Sequence, residues 1–149
     1  MTIGRGYADR FLTEEEARQV FQEGLEQIEV DGKRVVIIVP DSTRSAPLPL
    51  CFRSFAELLG KRVDALDFMI ALGTHAPMSE QAICDQFGIT VQERREEYGE
   101  IGIYNHNWKE GLGEIGVISA ARSRALSEGL LEEDVVIEIN GRLLNYDHI

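Results

Sequence analysis

Long apolar runs are missing from this sequence. No stretch approaches the roughly 20 residues of a membrane span, so no membrane partner is expected. The opening residues "MTIGRGYADRF" contain no apolar signal region, so export is not expected and the cytoplasm is the expected location. Cysteine is scarce: Cys51 and Cys84 pair only arithmetically, and nothing around them suggests a stapled secreted scaffold. Both read as reduced, buried, small apolar residues in helices. Bases are in deficit, 15 against 26 acids, for a net charge of −11. That balance speaks against sequence-independent nucleic-acid binding, which needs basic patches facing phosphates. A small anionic ligand stays open, because local cations can overcome the global field. Internal repeats and low-complexity linkers are also absent. What is present, 149 residues with 44% hydrophobic and 28% charged, is the composition of one soluble globular domain spanning residues 1–149.

Along the chain, "LTEEEARQVFQEGLEQI" predicts a first helix. Thr13 stands as its cap, Glu16 completes a capping box, and Val20, Phe21, Leu25 and Ile28 form an apolar stripe. "RVVIIVP" follows as a near-continuous apolar strand, which predicts burial on both faces and a parallel sheet. "PLCFRSFAELLG" predicts a helix closed by Gly60, and "VDALDFMIALGTH" a strand ending near Leu72. "SEQAICDQFG" predicts a helix capped by Ser79 and closed by Gly88. "IGIYNH", "EIGVIS" and "DVVIEIN" read as further strands, and "LLNYDHI" as the opening of one more. The alternation predicts an α/β, Rossmann-like fold: a mainly parallel sheet with helices on both faces, cut in mid-fold.

Two loops carry the chemistry. "DSTRSAP" and "GTHAPMS" each leave an apolar strand directly, and 31 residues separate Arg44 from His75, close to one βαβ unit. A right-handed crossover would bring both loops to one edge of the sheet, outside the carboxyl ends of the strands where α/β ligands bind. Asp41, Thr43, Arg44 and His75 are expected to converge there. Singly, each has a plain explanation: Asp41 and Thr43 as turn residues, Arg44 as a solvated ion pair, His75 as a backbone donor. Together they offer an imidazole able to move protons near neutrality, a carboxylate to orient it, and a guanidinium to hold a carboxylate or phosphate in bidentate fashion.

The same residues carry a family resemblance. "DSTRSAP", then "IALGTHAPMSE", then "YNHNW" (Tyr104 to Trp108) resemble, in order, motifs of the N-terminal domain of the nickel-dependent lactate racemase family. The resemblance covers about Val35 to Trp108. It implies an isomerase: a 2-hydroxy acid racemase or epimerase that passes a hydride to and from a nickel pincer nucleotide, with histidines handling the hydroxyl proton. On that likeness His75 is an acid/base histidine. Asp41 and Arg44 share the catalytic pocket, and Thr43, Arg44, Gly73 and Thr74 bind substrate or cofactor. No metal ligand is assigned in this chain.

Three departures stand out. Ala76 occupies a position where the family often has Arg, and Asn107 one where it has Asp. The family's second catalytic histidine, cofactor-linking lysine and nickel-ligand histidine lie in a stretch that would begin just after "NYDHI". The chain is therefore read as the N-terminal part of a larger protein, partnered by its own C-terminal domain and by a small 2-hydroxy acid, and inactive alone. A different 2-hydroxy acid, such as a sugar acid, and a non-catalytic module binding a small anion through Arg44 are the competing readings. A three-histidine metal site from His75, His106 and His148 is disfavoured because no short ligand spacing supports it, His148 being read as a tail remnant. Tyr104 and Trp108 are expected to pack against the sheet.

Overall fold

The structure, a computed structural model, describes residues 2–149. Its centre is β1 (Arg34–Pro40), whose β-branched run pairs in parallel with β2 (Ala65–Ala71) from Arg34↔Ala65 to Pro40↔Ala71. β2 in turn pairs in parallel with β3 (Gly102–Asn105), giving the order β1-β2-β3. Between them run α2 (Leu48–Leu59), then α3 (Glu80–Phe87) and α4 (Val91–Glu96). α1 (Glu14–Leu25) precedes the sheet, with Thr13 and Glu16 forming the expected capping box.

Strand period sorts the side chains. Val35, Ile37 and Val39 of β1 share a face with Leu66, Phe68 and Ile70 of β2. Over that face lie Phe52 and Leu59 of α2, Ile83, Cys84 and Phe87 of α3, and, at the margin, Leu25 and Val91. Phe52 is the hub, its ring centroid 5.1 Å from Phe68, 5.2 Å from Phe87 and 4.8 Å from Tyr98. Burying one such side chain stabilises by about 1.5–3 kcal/mol, and the tilted ring pairs add about 0.5–1.5 kcal/mol each. Four helices gather on this face because each crossover advances the sheet in the same direction.

The opposite face is covered by the returning chain. The 3-10 helix Gly141–Asn145 and the tail lie across it: the Tyr146 hydroxyl donates to Asp67, and the Arg142 guanidinium sits 4.1 Å from the Tyr104 ring centre. His148 then bridges Val35 in parallel and its carbonyl accepts from Val36 N at 3.0 Å, so the tail adds a strand position beside β1. Of the expected strand opening in "LLNYDHI", Leu143 to Asn145 lie instead in the 3-10 helix and only His148 takes a strand position, which makes it part of the sheet edge rather than a remnant. Burial of β1 on both faces holds at Val36 and fails at Ile38, which is 48% exposed because the tail crosses only the N-terminal half of the strand.

β4 (Leu112–Ile118) and β5 (Val135–Asn140) form their own antiparallel pair, with a register shift between Glu114 and Gly116, and α5 (Ala120–Leu126) lies between them. They extend no parallel sheet. α1 ends before Ile28, which is exposed, and Val30 enters the core instead. Among the described residues no helix is long and apolar enough to cross a membrane.

Candidate active site

Register decides where the loops go. Because Pro40 pairs with Ala71, β1 and β2 release their chains at the same level and the same edge. Asp41 follows at once, its side chain only 7% exposed. Thr43 folds back over it: Oγ1 donates to Asp41 Oδ1 at 2.5 Å and the Thr43 backbone N donates to the same oxygen at 3.1 Å. Asp41 Oδ2 is left facing His75 Nδ1 at 2.5 Å. On the β2 side, Gly73 takes φ +58°, a left-handed turn costly for any residue with a Cβ, and His75 N donates to Leu72 O at 3.0 Å.

The Thr43 hydroxyl, then the His75 ring and the Thr43 amide, pull the Asp41 carboxyl down from its ordinary 3.8 to about 2, while burial opposes them. Asp41 is therefore an acceptor on both oxygens at neutral pH, and the proton in the Asp41–His75 contact belongs to Nδ1. With Nδ1–H on Asp41, Nε2 is the ring nitrogen left to act as a base, and the His75 side chain is 58% exposed. Asp41, Thr43, Arg44, Gly73, Thr74 and His75 border one open cavity of about 480 Å³ whose floor is Ile38, Ala71 and Leu72. The Arg44 side chain enters no hydrogen bond or ion pair among the described residues, although Arg44 N ties back to Asp41 O at 3.2 Å. An oriented base, an unpaired cation and an apolar floor together suit a small anion with a removable proton.

The profile of the lactate racemase N-terminal domain matches residues 13–142. The chain belongs to the lactate racemase N-terminal domain family. Among solved structures it resembles a crystal structure of a protein from Thermotoga maritima, with 28% identity, a TM-score of 0.71 and coverage of 91% of this chain. It spans 32% of that other chain, about a third of its length. None of the curated proteins compared matches it.

In this racemase-family domain, two supports of the pocket lie outside its two loops: Asn105, within the "YNHNW" element, and Gln86. Asn105, at the end of β3, holds both backbone polar atoms of Met78: Oδ1 accepts from Met78 N at 3.1 Å and Nδ2 donates to Met78 O at 2.9 Å. Gln86 of α3 donates from Nε2 to Pro40 O at 2.8 Å, steadying the residue before Asp41. Position supplied a clue for Asn105, at a strand's carboxyl end beside the His75 loop; Gln86 had none, since its target is a backbone atom 46 residues away.

The remaining candidates lie apart. His106 Nδ1 pairs with Asn140 Nδ2 at 3.1 Å, and His148 Nε2 with Glu29 O at 3.1 Å. Trp108 is 46% exposed, with Lys109 over its ring, and does not pack on the sheet. Cys51 and Cys84 are free thiols, and burial pushes both above the ordinary thiol range, which keeps them unreactive. A larger depression of about 570 Å³ opens at the other end of β2, lined by charges of both signs such as Arg53, Glu57, Lys61 and Asp64, with no histidine.

Proposed function

We propose that this chain is the N-terminal catalytic module of a lactate racemase-like isomerase that inverts a 2-hydroxy acid in the cytoplasm, completed by a C-terminal domain of the same protein. The observation that carries the reading is the Asp41–His75 pair with Nε2 open to a cavity that also holds the unpaired Arg44. Arg44 takes the substrate carboxylate, its planar fork matching the two oxygens. His75 Nε2 accepts the proton of the 2-hydroxyl as the carbon becomes carbonyl-like. Asp41 stabilises the resulting imidazolium without itself taking the proton, because its carboxyl titrates near 2. When hydrogen returns to the opposite face of the carbon, the imidazolium gives the proton back. The backbone of Gly73 and Thr74 shapes the wall beside the hydroxyl.

The family likeness implies a nickel pincer nucleotide, which when bound supplies the hydride acceptor. The residues of this chain do not fit the metal: no group of three or more His, Cys, Asp or Glu that could hold an ion occurs among the described residues. At the pocket one imidazole nitrogen is free and the other is tied to Asp41. Attachment of that group is assigned to residues beyond this chain; the residues present here would hold the carboxylate and move the hydroxyl proton, while the hydride would pass to the bound nucleotide and back.

In the full-length protein carrying its cofactor, His75→Ala should lower exchange of the substrate α-hydrogen by about 10²–10⁴-fold, the usual worth of a positioned acid/base, with an unchanged circular-dichroism spectrum. Wild-type exchange in that variant would remove His75 from the role. The unpaired Arg44 favours a second reading, a non-catalytic module for small anions. Under it, calorimetric binding of lactate by this chain would be lost in Arg44→Ala, and no 2-hydroxy acid would be isomerised by the full-length protein. A panel of such acids, sugar acids included, also decides the substrate, since Ala76, next to His75, and Asn107 lack the charges of the family pattern.

A further inference from the structure

His75 is more than half exposed, so side-chain packing alone does not fix its ring. What fixes it is the Asp41 bond and the path of residues 73–78. That path is anchored at its start by the turn in which Leu72 O accepts from His75 N. Its end is Met78, one residue before Ser79, whose Oγ accepts from Ala82 N at 3.2 Å and so caps α3. Met78 is held by Asn105 through two part-buried hydrogen bonds of opposite polarity, 3.1 and 2.9 Å. Only an amide presents an acceptor and a donor side by side, so the pair of contacts also fixes which way the Asn105 amide faces. Asn105 is itself held by the sheet: it pairs with Ile70 in the β2–β3 register, and the next amide, His106 N, donates to Ile70 O at 3.1 Å.

We propose that Asn105 is a positioning residue for His75, clamping the exit of the loop from the neighbouring strand so that Nδ1 meets Asp41 and Nε2 opens into the cavity. The inference rests on the acid/base reading of His75 given above, and it extends the site to a third strand. Removing the clamp frees two backbone groups of Met78 and lets the segment between Leu72 and Ser79 sample other paths. A carboxylate at position 105 keeps the acceptor for Met78 N and sets negative charge against Met78 O.

The test uses the 149-residue chain, with ¹⁵N chemical shifts of the His75 ring read at a pH where the ring is neutral, and amide hydrogen exchange of His75 and Met78. The wild-type ring should report the Nδ1–H tautomer. In Asn105→Ala that pattern should give way to a mixture, and the Met78 amide should exchange at least about tenfold faster, as expected for losing hydrogen bonds of this class. Asn107→Ala, whose side chain only accepts from Lys109 N, should leave both readouts unchanged. Should Asn105→Ala fail to fold, Asn105→Asp decides: its Met78 amide should stay protected while the tautomer pattern is lost. A single wild-type tautomer in every folded Asn105 variant overturns the inference. Loss of the tautomer with undiminished turnover in the full-length enzyme leaves the inference standing and removes the catalytic reading of His75.

Discussion

A carboxylate that sits almost wholly out of solvent needs donors, and Asp41 has three: the Thr43 hydroxyl, the Thr43 amide and His75 Nδ1. Their preference for the charged form holds the group near 2 against an ordinary 3.8. A folded-state value below the unfolded one means that Asp41 contributes stability above about 3.8 and loses it as pH falls towards 2. Thermal unfolding followed between pH 5 and pH 2 should therefore show a steeper acid decline in wild type than in Asp41→Asn; parallel curves would contradict the hydrogen-bonded geometry. The same variant turns an acceptor into a possible donor towards His75 Nδ1 and so favours the wrong tautomer, which should lower full-length turnover by about 10²–10⁴-fold. The meeting of these groups was legible in the sequence because acid, hydroxyl, guanidinium and imidazole stood at two strand ends one βαβ unit apart. The internal wiring was not: nothing in "DSTRSAP" announces that Thr43 serves Asp41 rather than a ligand. The Thr43 hydroxyl proton goes to Asp41, which leaves the oxygen's acceptor lone pairs for the substrate or cofactor it is proposed to meet.

Elements were legible where local chemistry was strong. The Thr13–Glu16 capping box, the β-branched run of β1, the Ser79 cap and the left-handed Gly88 all lie where the sequence put them. α4 was missed, although Thr90 and Glu93 form the same kind of capping box, because its six residues offer no apolar stripe. α5 escaped for the same shortness. The two left-handed glycines of the chemically important region provide a comparison. At Gly73 an added Cβ meets nothing within 4 Å, so Gly73→Ala should cost only the backbone penalty, about 1–2 kcal/mol. At Gly88 (φ +65°) the Cβ would lie 2.8 Å from Pro49 Cβ, so α2 or α3 must shift as well. Denaturant unfolding should rank Gly88→Ala as the more destabilised of the two; the reverse order would mean that α2 and α3 are less tightly apposed than Pro49 indicates. Phe52→Ala, which empties the hub of the aromatic cluster, should exceed Gly73→Ala, at about 3–5 kcal/mol.

At the scale of the whole molecule the parallel sheet could be read from spacing, whereas the pairing of β4 with β5 and the return of the tail to β1 could not. The tail joins residues far apart in sequence: Val35 meets His148, and Asp67 meets Tyr146, 79 positions on. No periodicity encodes such partners. Yet Asp67 on the face opposite the helices explains why the tail docks there. It is buried, accepts from Gly102 N at 2.7 Å, and would lack a second donor without the Tyr146 hydroxyl. Arg34 reinforces the docking, its Nε donating to Asn145 O and its backbone N to Asp147 Oδ2, both at 2.8 Å. Tyr146→Phe keeps the ring and deletes that donor, so the buried carboxylate is left short of one partner, at a cost of about 1–3 kcal/mol. Burial and the Asp67 contact raise the Tyr146 phenol above its ordinary 10, so the contribution is complete below pH 10 and is lost as pH rises beyond it. Wild type should accordingly show an alkaline decline in thermal stability that Tyr146→Phe lacks, while the amides of Val36 and His148 exchange faster in the variant even at neutral pH. Equal alkaline curves for the two proteins would mean that Asp67 is satisfied without the tail, and that the strand position beside β1 is held by the Arg34 contacts alone.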